Sequence, residues 1–195
     1  MRCSQEGERR VRGILDMRPQ ATEGAGARVE ASGEGRFVAR GGLAVTAPAA
    51  VAFGTLQDYE AAPDIYRNIT ESRLEEGADG VPLLVQRCLW RVLLFSGTFE
   101  ASFQLEEDPA AGELTYRQLL DPKAFMRELT VQWKVTPTGE DTCSVEHTMF
   151  VEPRVNIPAA FRGNMDALLT RQVEGILEDF DAGVRARSQG TLRTP

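Results

Sequence analysis

Three cysteines, one histidine and two lysines are all that 195 residues contain of these types, and each shortage removes a class of function. Cys3, Cys88 and Cys143 are odd in number and far apart, so they suggest no disulfide framework; with His147 as the single histidine they give no zinc spacing either. No metal site and no cofactor is therefore expected, and a reducing intracellular compartment is the simpler setting. No apolar run reaches the length needed to cross a bilayer. A His-Glu-x-x-His helix is missing, and the glycines of Gly24-Ala25-Gly26 and Gly33-Glu34-Gly35 lack the strand-turn-helix context of a nucleotide loop.

Positive charge is scarce where it would matter. The formal net charge is −7, yet residues 1–20 carry five arginines against three acids and residues 185–195 carry three arginines and no acid, which leaves −12 on the body. An acidic body repels phosphate backbones, so nucleic acid is not expected as a partner. The basic ends leave transient contact with an anionic membrane surface open. Large apolar side chains are sparse over residues 1–35, which cannot bury enough surface to offset the entropy of ordering; they are read as a flexible tail. Residues 36–184 form one expected domain and 185–195 a basic flexible tail.

Within that domain the hydrophobic content, 42% for the chain, is enough for a core, and its periodicity is informative. Phe37, Ala39, Leu43 and Val45 alternate as in a strand, with Gly41-Gly42 expected to mark a bulge or bend. Pro48 opens a short helix, and Asp58 is placed to cap a second one from Tyr59 to Tyr66 that is broken or bent at Pro63. From Ile69 onward strands follow one another through tight turns, beginning with the hairpin around Gly77-Ala78-Asp79-Gly80. The run from Val81 to Phe95 is apolar on both phases, so its inner face stays open. Phe99, Ala101, Phe103 and Leu105 alternate with polar residues, as do Leu129, Val131, Trp133 and Val135, and then Cys143, Val145, His147, Met149 and Val151.

The strongest local signal is the last one. From Asn156 to Val184, Phe161, Met165, Leu168, Leu169, Val173, Ile176, Leu177, Phe180 and Val184 fall on one face of a helix. The predicted fold class is α+β: a curved antiparallel sheet of six to seven strands wrapped around a long C-terminal helix, with two short helices after the first strand.

Several stretches carry a family resemblance: Val45-Thr46-Ala47-Pro48-Ala49-Ala50-Val51, Leu56-Gln57-Asp58-Tyr59-Glu60-Ala61-Ala62-Pro63, Phe125 to Pro137 with Trp133, and Val151-Glu152-Pro153-Arg154-Val155-Asn156-Ile157-Pro158. Together with the element order they resemble the polyketide cyclase/dehydrase branch of the START-like, helix-grip (SRPBCC) superfamily, particularly its plant, algal and cyanobacterial members. The resemblance implies an apolar cavity between helix and sheet, used across the superfamily for lipids, sterols, quinones, polyketides or pigments. It also suggests a plastid, with the cytoplasm as the alternative. It supplies no catalytic set to carry over.

The candidate ligand-binding residues are Phe99, Phe103, Tyr116, Trp133, His147, Met149, Met165 and Leu169. By alternation alone these side chains either line a cavity or fill a core. His147 is read as a core histidine satisfied by a neighbouring hydroxyl or water, or as a proton carrier with Tyr116. Cys88 and Cys143 read as buried small hydrophobes. Arg87 and Arg91 read as outward residues paired with glutamates, the alternative being an anion contact inside. Three functions follow: carriage of an apolar small molecule, a cyclase or dehydratase using His147 and Tyr116 in the same cavity, or an interaction module with a filled core. Ligand entry is expected through the loops around Asp79 and Lys123.

Overall fold

The computed structural model describes residues 26–32, 35–77, 80–92, 95–121, 126–154 and 162–190. In chain order these form β1 (Gly26–Ser32), β2 (Arg36–Val45), α1 (Ala49–Gln57), a 3-10 turn (Tyr59–Ala61), α2 (Ala62–Ile65), β3 (Ile69–Glu76) and β4 (Pro82–Val92). There follow β5 (Phe95–Asp108), β6 (Glu113–Gln118), β7 (Met126–Pro137), β8 (Cys143–Pro153) and α3 (Arg162–Ser188).

The strands build one antiparallel sheet in the order β1-β2-β8-β7-β6-β5-β4-β3. Strands β3 to β8 are a meander, each paired to the next. The first strand of the expected domain, β2, pairs with the last, β8, so α1, the 3-10 turn and α2 must carry the chain to the opposite edge. Alternation sets the inner face as expected: Phe37, Ala39, Leu43 and Val45 are buried on β2, and Cys143, Val145, His147, Met149 and Val151 on β8. The ambiguity in β4 is resolved by register. Leu84 lies opposite Phe103, Gln86 opposite Ala101 and Cys88 opposite Phe99, which puts those three residues on the concave side. Arg87 therefore points outward, where it pairs with Glu71 at 2.5 Å and Glu100 at 3.7 Å. The side chain of Arg91 is outside the described residues.

Sequence reading and structure differ at five places. The sheet has eight strands, not six to seven, because residues 26–32 of the expected tail form edge strand β1. That strand needs few large side chains, since its order comes from a seven-residue backbone ladder with β2. Second, α3 continues to Ser188, four residues into the expected basic tail, and its start near Asn156 cannot be compared because residues 155–161 are outside the described set. Arg185 pairs with Asp181 at 2.7 Å, and Arg187 is drawn into the core edge by Asp58 and by Gly54 O, 3.3 Å from Nη1. A guanidinium at the C-terminal end of α1 also meets the negative end of that helix.

Third, Asp58 makes no capping hydrogen bond to the 3-10 turn; its carboxylate is held by Arg187 instead. Fourth, the break expected at Pro63 between Tyr59 and Tyr66 falls after Ala61 instead: a 3-10 turn is followed by a single turn of α2, with Pro63 in its first turn. Fifth, Gly41-Gly42 is no bulge: β2 keeps one register with β8 from Phe37 to Val45. Gly41 is there for clearance. A Cβ at that position would lie 2.7 Å from both Leu177 Cδ1 and Val173 Cγ1, so its absence lets α3 settle onto the strand.

That seat determines what remains. α3 packs against β1 and β2 and only lightly against β8, so it covers one side of the concave face. Its stripe divides in two. Val173, Leu177, Phe180 and Val184 are completely buried and stabilise the fold by roughly 6–12 kcal/mol gross. Met165, Leu168, Leu169, Gln172 and Ile176 face a space above the other strands.

Candidate functional site

A curved sheet with a helix seated on one side leaves space above the other side. The space is a cavity of about 330 Å³. Its floor is the inner phase of β4 to β8, including Cys88, Phe99, Phe103, Tyr116, Val131, Trp133, His147, Met149 and Val151. Its wall is Met165, Leu168, Leu169, Gln172 and Ile176 of α3, and Tyr66, Asn68 and Ile69 close the end beyond α2. All eight candidate ligand-binding residues named from the sequence lie on this boundary. Phe125, Phe161, Asp79 and Lys123 lie outside the described residues.

His147 and Trp133 are cross-strand partners, and their rings meet edge-on with centroids 4.4 Å apart. Trp133 also leans on Phe180, 5.2 Å away, which ties the cavity floor to the helix anchor. His147 is 1% exposed, and burial pushes its pKa down to about 3. Nδ1 has no hydrogen-bond partner among the described residues. Of the two expected partners, a hydroxyl or a water, no hydroxyl of the described residues reaches it: the outward alternation of β7 and β8 takes their Thr, Ser and Glu side chains to the other face.

Tyr116 stands at the other end, its ring edge-on to both Phe103 and Tyr59, with centroids 6.2 Å away in each case. Its hydroxyl donates a long bond of 3.4 Å to Leu56 O at the end of α1. Tyr59 donates to Glu107 at 2.5 Å. Burial raises the pKa of Tyr116, Tyr59 and Tyr66 above the phenol range, with Glu107 adding to the first two and Tyr116 and Asp179 to the third. Both groups proposed as proton carriers are thus neutral at pH 7. An imidazole with a pKa near 3 is a weak base and a phenol held above its usual range a weak acid, which makes both better at holding a ligand than at moving its protons.

The thiol of Cys88, on the same floor, is pushed up to about 12 by burial, and Cys143 is raised for the same reason. Neither behaves as a nucleophile there. Among the described residues no group of three or more His, Cys, Asp or Glu converges to hold a metal, and no helix is long and apolar enough to cross a membrane.

Four polar residues on the cavity, Tyr66, Asn68, Gln86 and Gln172, are not candidates from the sequence. Gln86 shares the inner phase with Leu84 and Cys88 and donates to Ser72 Oγ at 3.2 Å. Gln172 occupies a stripe position between Leu168, Leu169 and Ile176, and that spacing was a usable signal. Asn68 and Tyr66 gave none, since both sit where the chain leaves α2.

A sheet gripping a long helix, with an apolar cavity between them, defines the helix-grip class. The family model described as "Polyketide cyclase / dehydrase and lipid transport" matches residues 42–189, and the chain belongs to that family. No curated protein matches it in a sequence search. Among solved structures it is similar to an aromatase/cyclase, Zhui, from Streptomyces sp. R1128, at 19% identity and TM-score 0.63 over 78% of this chain and 96% of that one. A STAR-related lipid transfer protein from Xanthomonas axonopodis gives 18% identity and TM-score 0.62 over 86% and 97%. Human STARD10 gives 13% and 0.63 over 97% and 83%. At these identities the likeness shows the fold. The expected closeness to plant, algal and cyanobacterial members is not shown.

Proposed function

We propose that the protein binds and carries an apolar small molecule in the cavity between its sheet and α3. One observation carries this reading: the concave face of β4 to β8 is lined by buried aromatic, aliphatic and methionine side chains around about 330 Å³ of space, instead of interdigitating with the helix as a filled core would. A cavity of that size lies within the range of roughly 300–1,000 Å³ that holds small molecules. An interaction module with a filled core does not account for it. The cyclase or dehydratase reading uses the same space, but it needs proton transfer at His147 or Tyr116, and burial makes the first a weak base and the second a weak acid.

The test is native mass spectrometry of protein purified from its own source, followed by organic extraction. A co-purifying apolar compound that is released on unfolding is expected. Leu169→Trp, which fills the wall, should release it while leaving the circular dichroism spectrum unchanged. Repeated recovery of the empty protein would count against carriage.

A further inference from the structure

A ligand entering this cavity meets polar groups and, among the described residues, no charged one. Among the described residues the lining contains no Lys, Arg, Asp or Glu; its polar members are two tyrosines, three amides, one thiol and His147. Three cations of the surrounding elements are held by carboxylates away from it. Arg67 holds Asp179 at 2.8 Å and Glu178 at 3.1 Å, Arg127 holds Glu152 at 3.0 Å, and Arg187 holds Asp58. His147, 1% exposed, is buried on this lining, and its Nδ1 lacks a partner among the described residues.

We propose, resting on the binding reading above, that the cavity selects an uncharged, compact apolar ligand with a polar group set against His147, and that it rejects carboxylate, phosphate or sulfonate versions of the same skeleton. Two arguments support this. An anion moved from water onto this wall would lose its hydration without gaining a cation from the described lining, a cost that a neutral hydrogen-bonding group avoids. The imidazole cannot supply the missing charge, because burial keeps it unprotonated at neutral pH. The volume limits the ligand's size: about 330 Å³ is near the lower end of small-molecule sites, which suits a two- or three-ring or single-chain molecule.

The experiment uses two fluorescent probes that differ by one charge. N-phenyl-1-naphthylamine is neutral; 1-anilinonaphthalene-8-sulfonate is the same skeleton with a sulfonate. Titration of the full chain at pH 7.5 should show the neutral probe binding at one site at least about tenfold more tightly than the sulfonate. Gln172→Arg, which puts a guanidinium on the helix wall, should shift that ratio toward the sulfonate by at least about tenfold, with thermal melts verifying that the variant is folded. Equal or tighter binding of the sulfonate at a site from which the neutral probe displaces it would overturn the charge selection and leave the binding reading standing. An unchanged ratio in folded Gln172→Arg would overturn it too. Failure of both probes to bind would sink the binding reading and this inference with it.

Discussion

Acid should weaken this protein before its carboxylates titrate, and His147 is the reason. The perturbation is pH, with His147→Phe as the control, since a phenyl ring preserves the edge-on contact with Trp133 at a centroid distance of 4.4 Å. In the unfolded chain a histidine titrates near pH 6.5, whereas in the folded chain burial holds this one at about 3. Its folded pKa is therefore depressed. Below about pH 6.5 the unfolded state takes up a proton that the folded state refuses, and stability falls by about 1.4 kcal/mol per pH unit until the folded group also titrates. Between about pH 7.5 and pH 4.5 the loss amounts to about 2–3 kcal/mol.

The chain has one histidine, so little else titrates between about pH 7 and pH 5. Glu152, held below the usual carboxylate range chiefly by its hydrogen bond from Arg36, contributes stability that disappears only at lower pH. Urea unfolding at half-unit steps from pH 7.5 to pH 4.5, followed by Trp fluorescence, measures the effect. The wild type minus variant difference should slope as stated, and His147→Phe should be nearly flat above about pH 5. Parallel profiles would refute the reasoning, because they would mean that the imidazole protonates in place with water at its side.

Gly41→Ala should destabilise the fold by about 1–3 kcal/mol, read as a lower urea midpoint at unchanged slope, because the new methyl would sit 2.7 Å from Leu177 and Val173; an unaltered midpoint would show that α3 can shift without cost. Arg187→Met leaves Asp58 without its partner where the two side chains are only 9% and 13% exposed, and should cost about 3–5 kcal/mol. Adding Asp58→Leu to that variant should restore much of the loss, and failure to do so would assign Arg187 a packing role. Cys88, with its thiol near 12, should react with iodoacetamide at pH 8 at least about a hundredfold more slowly than a free cysteine, as followed by intact mass; rapid alkylation would show that the cavity floor is wet.

Much of the architecture was legible because strand and helix periods differ. β2, β5, β7 and β8 each place large side chains on every second position, and the stripe of α3 recurs every three to four residues, so inner faces could be assigned before any contact was known. Phe99, Phe103, Tyr116, Trp133, His147, Met149, Met165 and Leu169 reached the cavity boundary on that basis. The failures have physical causes. β1 was missed because an edge strand is recruited by backbone hydrogen bonds and needs no apolar pattern. Asp58 looked like a cap because local spacing says nothing of an arginine 129 residues away. Gly41 was read as a kink because the sequence does not reveal which helix will lie on it. Gln86 and Gln172 were passed over because an amide on an inner phase looks like any surface amide until the space beside it is seen.

The sequence by itself determined the α+β class, the order of most elements and which face of each is apolar, because these follow from the chemistry of neighbours along the chain. Only the tertiary structure decided that the apolar faces would not all meet. The seat of α3 on β1 and β2, allowed by Gly41, leaves the inner phase of β4 to β8 facing open space, and it places an unprotonated histidine against that space. Whether an apolar surface becomes core or cavity depends on the position of the element opposite it, and that position is fixed by packing between residues more than a hundred positions apart.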